Sequence, residues 1–304
     1  MLKNYFPTVA ITTIVVTILL IFIGVLVRAS GAGLGCPDWP QCFGMWIPPT
    51  NVADLPAAYD ASEFNVVKTW TEYVNRLVGV LVGFLILLTA IFSTAYLRHR
   101  RKVFYTSFAA LVLVIFQGWL GGQVVRSGLQ SGMISLHMTV AIAILMTLVY
   151  AAWHSMRDNY RFTLMNHHKK ALYKLSMLLL VLTISQVLLG TQVREGIDMV
   201  DKEAFERSEW LDQVGWIDTI HRSFSWTILL TGAGIMYYVK KHNLVHSISR
   251  LSFSVMGLIV SQIFIGVVLA YGGLPASFQV LHLGVSAILV VAIQLLLLSS
   301  QHYR

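Results

Sequence analysis

The sequence predicts an all-α integral membrane protein: eight transmembrane helices arranged as two pseudo-symmetric four-helix bundles. Three observations carry that reading. Of 304 residues, 56% are hydrophobic and only 12% charged, against about 25% charged in soluble domains. Apolar runs close to the roughly 20 residues needed to cross a bilayer recur at 8–28, 77–97, 104–125, 134–153, 171–193, 222–239, 251–271 and 279–299. Polar positions at the ends of these runs also repeat. Arg76 and Arg222 lie 146 residues apart, and His137 and His282 lie 145 apart. The repeat divides the chain into an N-terminal half, 1–160, and a C-terminal half, 161–304.

Orientation follows from the Lys/Arg bias of short loops. Arg98, Arg100, Arg101, Lys102, Lys169, Lys170, Lys174, Lys240, Lys241 and Arg250 fall on one side. Lys3 and Arg304 place both termini there, so the N and C termini are expected to be cytoplasmic. Nearly every acid falls in the first and fifth loops, which are long and outside. The net charge of +8 is then a signal of topology and implies no nucleic-acid partner. The first run is longer than the roughly 7–15 residues of a secretion signal and reads as a retained helix. No Arg/Ser-rich transit sequence precedes it, which points to a prokaryotic plasma membrane.

The first span closes with Gly24 and then Arg28, and the fifth with Gly190 and then Arg194. Spans three and seven match through Gln117…Gly121 and Gln262…Gly266. Repeats of four helices keep the same orientation, so an axis along the membrane normal relates the halves. Small residues on these odd spans allow close helix approach or leave room for a flat ligand; plain packing suffices for any single glycine. The first outer loop holds Cys36-Pro-Asp-Trp-Pro-Gln-Cys42, the only cysteines in the sequence. Outside the cell a disulfide is permitted and is the expectation, with two free thiols as the alternative. Zinc is disfavoured, because a tetrahedral site wants four ligands. No conformation is assigned to Val52–Trp70, and Glu195–Asp218 reads as a solvated acidic face.

Seven of the ten histidines accompany the cytoplasmic loops. The other three, His137, His221 and His282, open outer helix mouths, and all fall on the repeat. A lone histidine in a membrane helix is more often a packing residue; three at repeat positions are harder to explain that way. In N-terminal turns the helix dipole disfavours imidazolium, which leaves the ring in the neutral state that a metal ligand needs. Two neutral imidazoles on facing helices, without a cysteine or carboxylate cage, point to a bis-His heme. His221 and His282 make the complete pair. In the first half the equivalent pair is Asn75 and His137, with one strong ligand.

Glu72 lies one helical turn before Asn75, on the same face. An ionisable residue beside a membrane helix is a functional candidate, suited to proton transfer; the competing reading is a helix cap in loop water. Its repeat counterpart Asp218 reads as a cap. Arg28, Arg76, Arg126, Arg194 and Arg222 at the outer mouths either pair with heme propionates or snorkel to the interface.

The ordered set Gly31-Ala-Gly-Leu-Gly-Cys36-Pro-Asp-Trp-Pro-Gln-Cys42, Glu72-Tyr-Val-Asn75-Arg76, Gln117-Gly-Trp-Leu-Gly-Gly122, His137, His221-Arg222 and His282 resembles the heme A synthase family over essentially the whole chain. The resemblance implies an oxidoreductase that converts the C8 methyl of heme O to a formyl group by successive hydroxylations. It implies a resident heme b on His221 and His282, with Arg194 and Arg222 available to its propionates. Heme O would sit near His137, Asn75 and Arg76, with Glu72 essential to the chemistry. Cys36 and Cys42 match a pair that the family uses in or near the substrate half. Heme O synthase, a terminal oxidase, membrane lipid and a second copy of the chain are compatible partners. This chain departs from the family pattern at Asn75, where the family has His, so substrate heme is expected to be five-coordinate or held by His137 alone. The ranked alternatives are a non-catalytic bis-His membrane cytochrome, then a transporter.

Overall fold

The computed structural model describes residues 2–157, 164–200, 204–207 and 209–301. Among them are nine α-helices: α1 (Leu2–Ala29), α2 (Val66–Ser93), α3 (Arg101–Arg126), α4 (Met133–Met156), α5 (Asn166–Met199), the one-turn α6 (Trp210–Val214), α7 (Trp216–Lys241), α8 (His246–Tyr271) and α9 (Ala276–Gln301). No strand occurs among the described residues. Seven of these helices are long and apolar enough to cross a membrane, and the protein is a multi-pass helical membrane protein. The eighth expected span, 222–239, lies inside α7, whose 26 residues reach about 39 Å at 1.5 Å per residue. Ser223, Ser225, Thr227, Thr231, Gly232 and Gly234 dilute it below the apolarity of the other seven.

Two compact units emerge, Met1–Leu148 and Val149–Arg304. The division falls within α4, and the expected boundary at 160/161 lies outside the described residues, as does Arg304. In the first unit, Val82 and Ile86 of α2, Ala110 and Leu120 of α3, and Val140, Ile144 and Leu148 of α4 form one buried cluster, flanked by Ile14 and Leu20 of α1. A buried hydrogen bond at 3.0 Å joins Thr13 of α1 to Thr89 of α2. Lipid is as apolar as leucine, so such helices are held by close packing and internal polar links rather than by escape from water. Val80, Phe84, Phe108 and Ile115 remain on the outside of the unit, as expected of lipid-facing side chains.

In the second unit, α5 packs on α7 and α9, and α8 packs on the same two helices, closing a four-helix ring. Helix α9 is the most enclosed of the spans, with Val290, Ile293 and Leu296 fully buried. Its near-continuous run of Leu, Val, Ile and Ala suits a helix with neighbours on several sides.

Helix α2 begins eleven residues before the expected start at 77. Asn65 is its N-cap, and its side chain accepts a hydrogen bond from the Lys68 amide at 3.1 Å. Asn at this position offsets one of the unpaired amides of the first turn. Glu72, Asn75 and Arg76 therefore lie well inside the helix, and Glu72 is not its cap. Asp218 is likewise no cap: it lies in the first turn of α7, which follows Gly215 (φ +72°) with no side-chain cap bond. The segment before α2 folds into two 3-10 turns, Val52–Asp54 and Ala61–Glu63, each capped by an Asn or Asp side chain. The acidic stretch 195–218 is only partly solvated, since Glu195 and Asp218 are buried; residues 201–203 and 208 lie outside the described residues.

Candidate functional site

Three histidines are held by one recurring device. The Gln117 side-chain amide on α3 donates to the backbone carbonyl of His137 on α4 at 3.0 Å. Gln186 on α5 donates to the carbonyl of His221 on α7 at 2.9 Å, and Gln262 on α8 to that of His282 on α9 at 2.9 Å. One helical turn beyond each glutamine stands a glycine facing the ring. A Cβ at Gly121 would lie 3.4 Å from Cε1 of His137, one at Gly190 3.1 Å from Cε1 of His221, and one at Gly266 3.7 Å from Cε1 of His282. The glutamine ties the two helices together at the level of the histidine, and the glycine makes room for the imidazole. Sequence reasoning missed the glutamines as a set, although the spacing Gln-x-x-x-Gly stands in the sequence at 117, 186 and 262.

Within the second unit the rings of His221 and His282 face one another, with centroids 6.4 Å apart and planes inclined at 74°. A metal–imidazole bond of about 2 Å plus roughly 1 Å from nitrogen to ring centre, taken twice, gives about 6 Å, so the two rings stand at a separation that would let both hold one iron. Both Nδ1 atoms, and that of His137, are buried without a protein partner. Leaving such an atom unpaired costs about 1–3 kcal/mol, so the three rings share one unmet hydrogen-bonding position. The residues fit a bis-His heme.

The fourth repeat position is different. Asn75 on α2 faces Gly24 on α1, where a Cβ would lie 3.7 Å from its Oδ1, and that oxygen is also buried and unpartnered. The place matching Gln186, four residues before the glycine, is Leu20, whose side chain joins the apolar cluster of the first unit.

Two buried acids pair with the arginine one turn on: Glu72 with Arg76 at 2.5 Å, and Asp218 with Arg222. In the first unit the pair also reaches into the outer loop. Glu72 Oε2 accepts from the Cys36 amide at 3.0 Å. Arg76 donates through Nη1 to the carbonyls of Asp38 (2.8 Å) and Gln41 (2.7 Å), and through Nη2 to that of Cys36 at 3.3 Å. Arg194 pairs with Asp198 at 2.9 Å and donates to Gln279 Oε1 at 2.7 Å.

The loop so held is closed by a disulfide between Cys36 and Cys42, Cα atoms 4.8 Å apart, and no free cysteine occurs among the described residues. Gly35 packs so tightly on the start of α2 that a Cβ would collide with the Lys68 carbonyl. Thr69 Oγ1 donates to the Gly35 carbonyl at 2.8 Å. Trp39 lies on Gly122 of α3, where a Cβ would come within 2.9 Å of its ring, and the Arg126 guanidinium lies 6.0 Å from the ring centroid. The loop is thus anchored on both α2 and α3.

Fold and site define a multi-pass helical membrane protein with an imidazole pair in one half and a single imidazole at the matching place in the other. The chain belongs to the COX15-CtaA family, described as cytochrome oxidase assembly proteins, whose sequence profile matches residues 7–294. It is similar to proteins named heme A synthase: one from Shewanella oneidensis is 24% identical over 309 residues, covering 92% of each chain. One from Bartonella tribocorum is 24% identical, over 86% of this chain and 83% of that one. A third, from Alkalihalophilus pseudofirmus, is 39% identical over 145 residues; that match spans 46% of this chain and less than half, 44%, of the relative.

Proposed function

We propose that this protein is a heme A synthase, taking heme O as substrate and oxidising its C8 methyl to a formyl group by successive hydroxylations. The reading rests on the family and on relatives of that name, and the observation that carries it is the facing pair His221 and His282. Those two rings would hold a resident heme b, which supplies one-electron chemistry when bound. The second half is a permanent cofactor site in this reading, with Arg222 next to His221 and Arg194 bonded to Gln279, one turn before His282, as the groups that would serve the propionates. The first half would take the substrate at His137, with Asn75 and Arg76 beside it. Glu72 is the residue proposed as essential to the chemistry. Its carboxylate binds the disulfide loop and Arg76, so its part is played together with that loop. Helix α7 is proposed as an eighth span, with both termini in the cytoplasm and the heme sites toward the outer face of a prokaryotic plasma membrane.

One observation favours a second reading, a non-catalytic bis-His cytochrome: both oxygens of Glu72 are engaged, as in a structural brace. Pyridine hemochrome analysis with reverse-phase separation of extracted hemes decides between the two. The protein would be made in cells supplying heme O. The proposal expects heme A with the wild type, persistence of heme O with Glu72→Ala, and loss of heme b with His221→Ala. Heme b alone, with no effect of Glu72→Ala, would establish the cytochrome.

A further inference from the structure

The tethered histidine recurs at three helix pairs, α3–α4, α5–α7 and α8–α9, and the spacing of the sequence repeat sets α1–α2 as the fourth. At three of the four positions, the histidine arrives with a glutamine that holds its carbonyl and a glycine that clears its ring. At the fourth, histidine and glutamine are both replaced. Asn75 stands where His221 stands, and Leu20 where Gln186 stands, while Gly24 keeps the cleared space. Loss of the ring alone would be an ordinary substitution. With the tether absent as well, and Leu20 packed on the apolar cluster, the α1–α2 contact lacks both elements that place a histidine at the other three positions. A carboxamide is a neutral, hard oxygen or weak nitrogen donor and a poor partner for heme iron, which proteins hold through imidazole, thiolate, thioether or phenolate. The asparagine oxygen is nevertheless buried and unpaired.

We infer that the first half binds a heme through His137 alone, and that Asn75 faces an open axial position for a small exogenous ligand. The inference rests on the reading of the first half as a heme-binding site and specifies its coordination. The second half, with both tethers and both rings, leaves no such position. The two hemes of one chain would differ in spin state and in access to diatomic ligands, although they occupy repeats of one design.

Carbon monoxide is the direct probe, because a reduced iron with an open axial position takes it up readily and a bis-His iron resists it. The full-length protein would be saturated with hemin, reduced with dithionite and titrated with carbon monoxide, with hemes counted by pyridine hemochrome. The expected wild-type result is about two hemes per chain, one of them binding carbon monoxide. His137→Ala is expected to remove the reactive heme and spare the other. Asn75→His, and Asn75→His combined with Leu20→Gln, are expected to abolish uptake while two hemes remain, with the high-spin signal converted to low-spin. Two hemes per chain in the wild type, both low-spin and inert to carbon monoxide, would overturn the inference but leave the substrate site standing. A single heme per chain in the wild type, inert to carbon monoxide, would overturn both. The wild-type counts alone distinguish these outcomes, even if a variant fails to fold.

Discussion

The guanidinium of Arg76 pairs with the carboxylate of Glu72 at 2.5 Å and, from the same group, donates to the carbonyls of Asp38 and Gln41 at 2.8 and 2.7 Å. One side chain on α2 therefore closes the acid and gathers the disulfide loop. An acid alone on the helix would keep the Cys36 amide, but the carbonyls across the loop would lose a donor. Charge-assisted hydrogen bonds of this kind contribute about 1.5–3 kcal/mol each.

Arg76→Met is accordingly expected to loosen the loop without removing Glu72. Reduction of Cys36–Cys42 by dithiothreitol, followed by maleimide mass tagging, should proceed about tenfold faster than in the wild type, tenfold corresponding to about 1.4 kcal/mol. Unchanged reduction kinetics would mean that Thr69, Glu72 and the tryptophan anchor on α3 hold the loop without Arg76.

That anchor has its own test. Gly35→Ala drives a methyl into the Lys68 carbonyl of α2, and Gly122→Ala places one 2.9 Å from the Trp39 ring. Each is expected to destabilise the docked loop, by about 1–3 kcal/mol for overpacking, and to expose it to limited proteolysis. Gly79→Ala and Gly118→Ala, which meet nothing within 4 Å, should digest as the wild type does.

Crowding the imidazole should be felt at the proposed heme b. Gly190→Ala brings a methyl to 3.1 Å from Cε1 of His221, within the range where the ring must shift. Retention of heme through detergent washing should fall about tenfold, since a displacement costing roughly 1.4 kcal/mol suffices. Gly234→Ala in the same unit, with open space around it, serves as the control.

The glutamine tethers would act on the proposed ligands at one remove. Gln186→Leu or Gln262→Leu removes a donor to the histidine carbonyl and leaves the ring in place. Because the bond is to the main-chain carbonyl and not to the ring, heme affinity is expected to fall toward the lower end of the about 10–100-fold that loss of an outer-shell partner costs a metal ligand. A shift in the low-spin electron paramagnetic resonance spectrum should accompany it. An unaltered spectrum with unaltered affinity would reduce the tethers to helix packing.

Much of the architecture is legible in the sequence, for identifiable reasons. Membrane spans are written as runs of apolar residues, so hydropathy locates seven helices to within a few residues at most ends. It starts α2 too late because Val66–Arg76 mixes Lys68, Glu72 and Arg76 with aromatics, and hydropathy alone does not mark a polar helical extension. The cap at Asn65 does. Asp218 reads as a cap because a carboxylate before an apolar run fits that role equally well; its proximity to Arg222 is set by the helical turn. The cysteine pairing expected from the loop's outer location is present.

The sequence by itself determined the membrane class and the set of polar positions, because hydrophobic length and a repeat of about 145 residues are properties of order along the chain. Only the tertiary structure decided which of those positions meet. That His221 and His282 stand ring to ring, that glutamines grip histidine carbonyls from neighbouring helices, and that Arg76 reaches back across the loop all depend on how each helix is rotated about its axis. Side-chain packing between helices sets that rotation, and no spacing along one helix specifies it.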